Sequence, residues 1–146
     1  MIADTTFFIS QCLAQVQVRL LGTCDGLTQD HVLWRPAPHA NNIGFILWHV
    51  ARGEDRLITT LASKGTDLWE SDGWHQAFGQ PIEAPEPGDR PGLHSLKVPD
   101  VEVLIGYLEA AHGQTRKYLS TLAPEELGAI PDPSEPERTV ASLPRH

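Results

Sequence analysis

Positive charge is scarce in this chain. Only 11 of 146 residues are Lys or Arg, against 19 Asp or Glu, for a formal net charge of −8. Nucleic-acid backbones and anionic membrane surfaces are gripped by clustered cations. Here the cations are scattered, so no nucleic acid and no membrane is expected as a partner. Cysteine is scarcer still. Cys12 and Cys24 form no C-x-x-C pair, which excludes a zinc ribbon or a dithiol redox motif. The expected roles are a buried small hydrophobe at Cys12 and an ordinary thiol at Cys24. No apolar run approaches the ~18–20 residues of a membrane span. Met1 to Asp4 lacks the basic region of a secretory signal, so a cytoplasmic location is the default. Also missing are a Gly-x-Ser-x-Gly elbow, a Gly-x-Gly-x-x-Gly or Walker loop, any internal repeat and any strand-like alternation.

What is present is helical periodicity. From about Thr5 to Leu21, Phe8, Cys12, Val16 and Leu20 recur every fourth residue, and Ile9 and Leu13 widen the stripe. Asp4 is the expected N-cap, and Gly22 and Gly26 mark the exit. A short turn capped by Thr28 follows, broken by Pro36 and Pro38. Asn42 is placed to cap a second long helix over 43–63, with Ile43, Ile46, Leu47, Val50, Leu57, Ile58 and Leu61 on its apolar face. A third helix is expected over 101–122, capped by Asp100, with Val101, Leu104, Leu108, Ala111, Thr115, Tyr118 and Leu122 facing inward. Thr139 resembles the N-cap of a fourth.

Between Lys64 and Pro99 periodicity gives way to Gly and Pro interleaved with Trp69, Trp74 and Phe78. Disordered segments are poor in such aromatics. The expectation is a long ordered crossover whose rings pack on the bundle, with 85–92 as its most mobile part. The whole reads as one all-α domain over residues 1–146. It is a helix bundle that would leave an apolar stripe uncovered where a fourth helix should sit; self-association into a homodimer would cover it.

Most histidines are isolated. His31, His75 and His94 read as surface or turn residues, and His112 as a solvated helix position. His49 differs, because it lies within the apolar run Ile43 to Val50 and points toward one wall of the bundle. Its bland role is a hydrogen-bonded core histidine; its functional role is a metal ligand. Glu54 falls near the centre of the same stripe, where a carboxylate must be paired, hydrogen-bonded or neutralised. A metal-bound histidine or Arg56 could supply that partner.

These residues carry a family resemblance. Trp34-Arg35-Pro36, the run Asn42 to Arg52, and Glu54-Asp55-Arg56 resemble the first half of a DinB-like (DinB/YfiT-type) protein. Leu68-Trp69-Glu70, Gly73-Trp74 and Phe78-Gly79-Gln80-Pro81 resemble its crossover in an actinobacterial-type branch. Tyr107 to Ala110 and Tyr118 to Leu122 resemble its third helix, and Arg138-Thr139-Val140 the start of the fourth. The resemblance implies a four-helix bundle of up-down-down-up connectivity. It also implies a divalent metal, zinc or nickel, held by three histidines with one open position. His49 matches the second-helix ligand; the other two belong to an H-x-x-x-H pair on the fourth helix.

Several relatives use the metal to activate a small thiol, such as bacillithiol or mycothiol, in transferase or isomerase reactions. By the family pattern the H-x-x-x-H pair would follow His146. Three explanations are open: a truncated or frame-shifted chain, a member that has lost its metal site, or a site completed by His146 and a partner chain. Two functions stand side by side. One is a metal-dependent thiol transferase or hydrolase, impaired in this form. The other is a non-catalytic domain that binds a small ligand or dimerises.

Overall fold

The structure is a computed structural model that describes residues 5–83 and 95–140. Among these residues all regular structure is helical. The elements are α1 (Thr5–Thr23), α2 (Gln29–Leu33), α3 (Ile43–Asp55) continued by a π-helical stretch (Arg56–Ala62), α4 (Leu68–Ser71), α5 (Trp74–Ala77), α6 (Val101–Thr121) and a 3-10 turn (Pro124–Gly128). No helix among them is long and apolar enough to cross a membrane. The segment 85–92 and most of the expected fourth helix lie outside the described residues.

Several expected caps form. Thr28 accepts from the His31 backbone N–H at 3.3 Å while the His31 ring accepts from the Thr28 N–H at 3.2 Å, a reciprocal capping box. His31 is thereby a turn residue, as its isolation suggested. Asn42 Oδ1 accepts from Phe45 N–H at 2.7 Å and starts α3. Asp100 makes no such side-chain bond. Gln29 does the work instead, because its Oε1 accepts from Val101 N–H at 3.1 Å and its Nε2 donates to the Pro99 carbonyl at 3.0 Å. That amide ties α2 to the start of α6. Gly44 lies directly beneath Val98, so a Cβ there would collide with the valine methyls.

Of the three long helices, α6 buries the expected face, with Leu104, Leu108, Ala111 and Thr115 inside, whereas α1 and α3 bury faces turned from those the spacing suggested. On α1 the buried residues are Thr6 and Gln17, while Phe8 is 64% and Val16 60% exposed. At about 100° per residue, the buried side is rotated by roughly 130° from the Phe8–Cys12–Val16 stripe. On α3, Leu47, Trp48, Ala51 and Asp55 are buried, whereas Ile46 and Val50 are exposed. Both displaced stripes border one groove, which no described residue fills. The cysteine assignment is reversed for the same reason: Cys12 rides on the outward stripe and is exposed. Cys24, past the end of α1, is buried, and burial pushes its thiol above the usual range.

The described parts of the crossover, 64–83 and 95–99, pack on the bundle as its aromatics implied. Trp69 and Phe78 are buried. Trp69 packs at ring-centroid distances of 6.2 Å on Trp48, 5.3 Å on Phe78 and 5.6 Å on Tyr107, and Trp74 lies 5.3 Å from Tyr107. Arg52 sits 5.5 Å over Trp69 and pairs with Asp67 at 2.9 Å.

Asp55 fastens this layer. It is 1% exposed. Its Oδ1 accepts from Leu68 N–H at 2.9 Å and Thr59 O–H at 3.2 Å; its Oδ2 accepts from Trp69 N–H at 3.0 Å and Tyr107 O–H at 2.8 Å. A buried carboxylate is tolerable only when hydrogen-bonded in this way. Burial, reinforced by the Asp55 charge, pushes the Tyr107 phenol far above its ordinary range. The same carboxylate serves two free N–H groups in the first turn of α4, so α3, the crossover and α6 meet at one side chain.

Candidate functional site

The open groove is a cleft of about 270 Å³. One wall is α1, through Leu13, Val16 and Leu20. The other is α3 and its π-helical extension, through His49, Val50, Gly53 and Leu57. The floor is α6, through His112 and Thr115, with Glu54 between floor and wall. The π-helical stretch, which adds one residue per turn, places both Leu57 and Ile58 on the lining.

The polar floor is a connected network. The His112 ring nitrogen Nδ1 lies 2.7 Å from Glu54 Oε2. Thr115 Oγ1 is 2.5 Å from Glu54 Oε1 and 3.1 Å from the Ala111 carbonyl. The hydroxyl has one proton, and the shorter contact, to a carboxylate, holds it. Gln17 Nε2 donates to Glu54 Oε1 at 3.1 Å, and Arg116 donates to Gln17 Oε1 at 3.0 Å. Arg116 therefore orients the Gln17 amide, which with Thr115 and His112 engages both oxygens of Glu54. One atom stays out of this accounting: His112 Nε2 is buried and has no hydrogen-bond partner among the described residues.

The solvated position expected for His112 is corrected here, since the residue is 2% exposed. Its register carried the signal. His112 follows Leu108 by four residues and Ala111 by one, within the stripe that buries α6. The Glu54 partner is His112 rather than Arg56. His49 lines the cleft but remains exposed at its rim, stacked on Phe45 with ring centroids 5.8 Å apart. His75, half-buried in the crossover, bonds the Gln80 carbonyl at 3.1 Å and takes no part in the cleft.

A divalent metal on His49 needs further ligands nearby. Among the described residues no three His, Cys, Asp or Glu side chains come together as a metal set. Glu54, the nearest carboxylate on the cleft, has both oxygens engaged by His112, Thr115 and Gln17. The described residues on their own do not fit a resident metal.

Comparison with known proteins places the chain. The family model of the DinB superfamily matches residues 13–146. The chain belongs to the DinB superfamily. Among solved structures, a conserved protein from Enterococcus faecalis superposes with a TM-score of 0.81 at 24% identity, covering 97% of this chain and 88% of that one. At that identity the likeness concerns the fold. No curated protein matches. The DinB-like character expected from the second helix and the Trp-rich crossover is thereby shown, as is the all-α fold.

Proposed function

We propose that this DinB-superfamily protein holds a small, mainly apolar molecule in the cleft between α1, α3 and α6. The observation that carries the reading is the cleft's make-up: aliphatic walls from two helices above a floor whose polar groups are bonded to one another. Concave, mostly apolar sites with a few fixed polar groups are the usual form of small-ligand sites. An apolar cavity of about 150 Å³ suffices for benzene.

Gly53 supplies the test. It lines the cleft, and a Cβ built on it meets nothing within 4 Å. Gly53→Leu should therefore fill the cleft while removing a helix-interior glycine, which favours folding by about 0.5–1 kcal/mol. Titration calorimetry with toluene should show binding to the wild type that is lost in a variant at least as stable. Equal binding by both proteins would sink the cleft reading.

The metal-dependent thiol transferase implied by the family resemblance is the competing function, and it rests on His49. Metal analysis by mass spectrometry separates the two. Our reading expects no stoichiometric zinc or nickel in the wild type. About one metal per chain, lost in His49→Ala, would favour the metalloenzyme and make a small thiol the ligand to test.

Self-association is a compatible second property. It is favoured by the exposed Phe8–Cys12–Val16 stripe on α1 and by Ile46 on α3. Covering such a stripe with a second copy would bury apolar surface that is otherwise left in water.

A further inference from the structure

We propose that His112 Nε2 is the recognition point of the cleft and selects a neutral, single-ring alcohol of the phenol kind, whose hydroxyl donates to it. This deepens the small-ligand reading and rests on it.

Three observations converge. First, the ring is held in one sense. His112 Nδ1 faces Glu54 Oε2 at 2.7 Å, so in the neutral ring the proton sits on Nδ1 and Nε2 carries the lone pair. Glu54 is itself fixed by Thr115 and Gln17, and the ring cannot turn without breaking that network. Second, Nε2 is buried without a partner among the described residues, on a residue that lines the cleft. An unmet buried acceptor is costly, and a ligand's O–H would recover that cost.

Third, the surroundings choose the ligand's charge. No Lys or Arg is among the cleft-lining residues, and Arg116 is spent on Gln17. A carboxylate or phosphate would find no cation there and would meet the Glu54 charge. A cation would find Glu54 Oε1 filled by Thr115 and Gln17 and Oε2 already shared with His112. What remains is a neutral molecule with an apolar body against Leu13, Val50 and Leu57 and one donor toward His112.

Phenol and toluene are matched probes, alike in shape and differing in the hydroxyl. In an apolar cleft without an acceptor the buried hydroxyl goes unpaired, and toluene binds on the order of tenfold tighter. With Nε2 as acceptor, phenol should bind the wild type at least as tightly as toluene. His112→Phe should cost phenol on the order of tenfold and leave toluene within twofold. A readout in the unaltered protein guards against a variant that fails to fold. The 15N resonance of His112 Nε2 should move with phenol and stay fixed with toluene. Toluene binding tenfold better than phenol, with that resonance unmoved, overturns the assignment while leaving the cleft as a ligand site. Binding of neither probe overturns both.

Discussion

Glu54 and Asp55 are neighbours in sequence and belong to opposite halves of the molecule. A step of one residue turns a helix by about 100°, so Asp55 points into the layer between α3, the crossover and α6, and Glu54 points to the open cleft. Around Asp55 every partner is supplied, two backbone N–H groups, a threonine and a tyrosine, and the carboxylate is sealed from water. Around Glu54 the donors are all side chains, and the network ends in a histidine nitrogen that meets no partner among the described residues. The first arrangement is what stability asks of a buried charge. The second leaves one histidine nitrogen unmet at the edge of the cleft, the feature on which the small-ligand proposal rests.

That contrast has measurable edges. Asp55→Ala should have the largest effect, because it strands two backbone N–H groups and two hydroxyls in the interior. A loss on the order of 3–5 kcal/mol in denaturant unfolding is expected. Tyr107→Phe should come next, at about 1.5–3 kcal/mol for one hydrogen bond to a charged group.

The Tyr107 variant also carries a pH signature. The folded phenol is held protonated far above the ordinary value by burial and the Asp55 charge, whereas the unfolded chain ionises near pH 10. The stabilisation is fully present below about pH 10 and is lost as pH rises above it, since the unfolded state then sheds a proton that the folded state keeps. Wild-type stability should fall through that range, and Tyr107→Phe should flatten the decline. A decline of equal slope in both proteins would remove Tyr107 from the account.

Glu54→Gln should cost less, about 1 kcal/mol or below, because the group is half-buried and its donors can turn toward the cleft. A Glu54 loss equal to that of Asp55 would erase the distinction between the two halves. Smallest in stability should be the double change Phe8→Ser with Val16→Ser, within about 0.5 kcal/mol for surface positions. Its effect should appear in sedimentation: a wild-type dimer becoming a monomer. A wild type that is monomeric at every concentration would remove self-association.

Much of the fold was legible in the chain, and the reasons are local. Asn42 and Thr28 announced their helices because capping depends on neighbours three residues away. The Trp-rich crossover announced its order because such rings need a core. Helix rotation was not legible. The stripes on α1 and α3 mix residues that face α6 with residues that face the cleft, and spacing alone averages the two directions. Phe8, Cys12 and Val16 therefore looked internal and lie on the outside. The site was half-legible. His49 and Glu54 were singled out by polar chemistry within an apolar run. His112 and Asp55 were missed, although each sits four residues from buried neighbours, Leu108 and Ala51. A charged or imidazole side chain on a buried register marks a fixed partner, and here those partners define both halves of the molecule.

The most direct test of the contrast is methyl NMR of the wild-type protein under xenon pressure, since xenon enters apolar cavities without needing a hydrogen bond. Saturating shifts confined to the Leu13, Val50 and Leu57 methyls, with Leu104 and Leu108 beside the aromatic layer unmoved, are the predicted result. Shifts spread evenly over both groups, or absent from the cleft, would contradict the account.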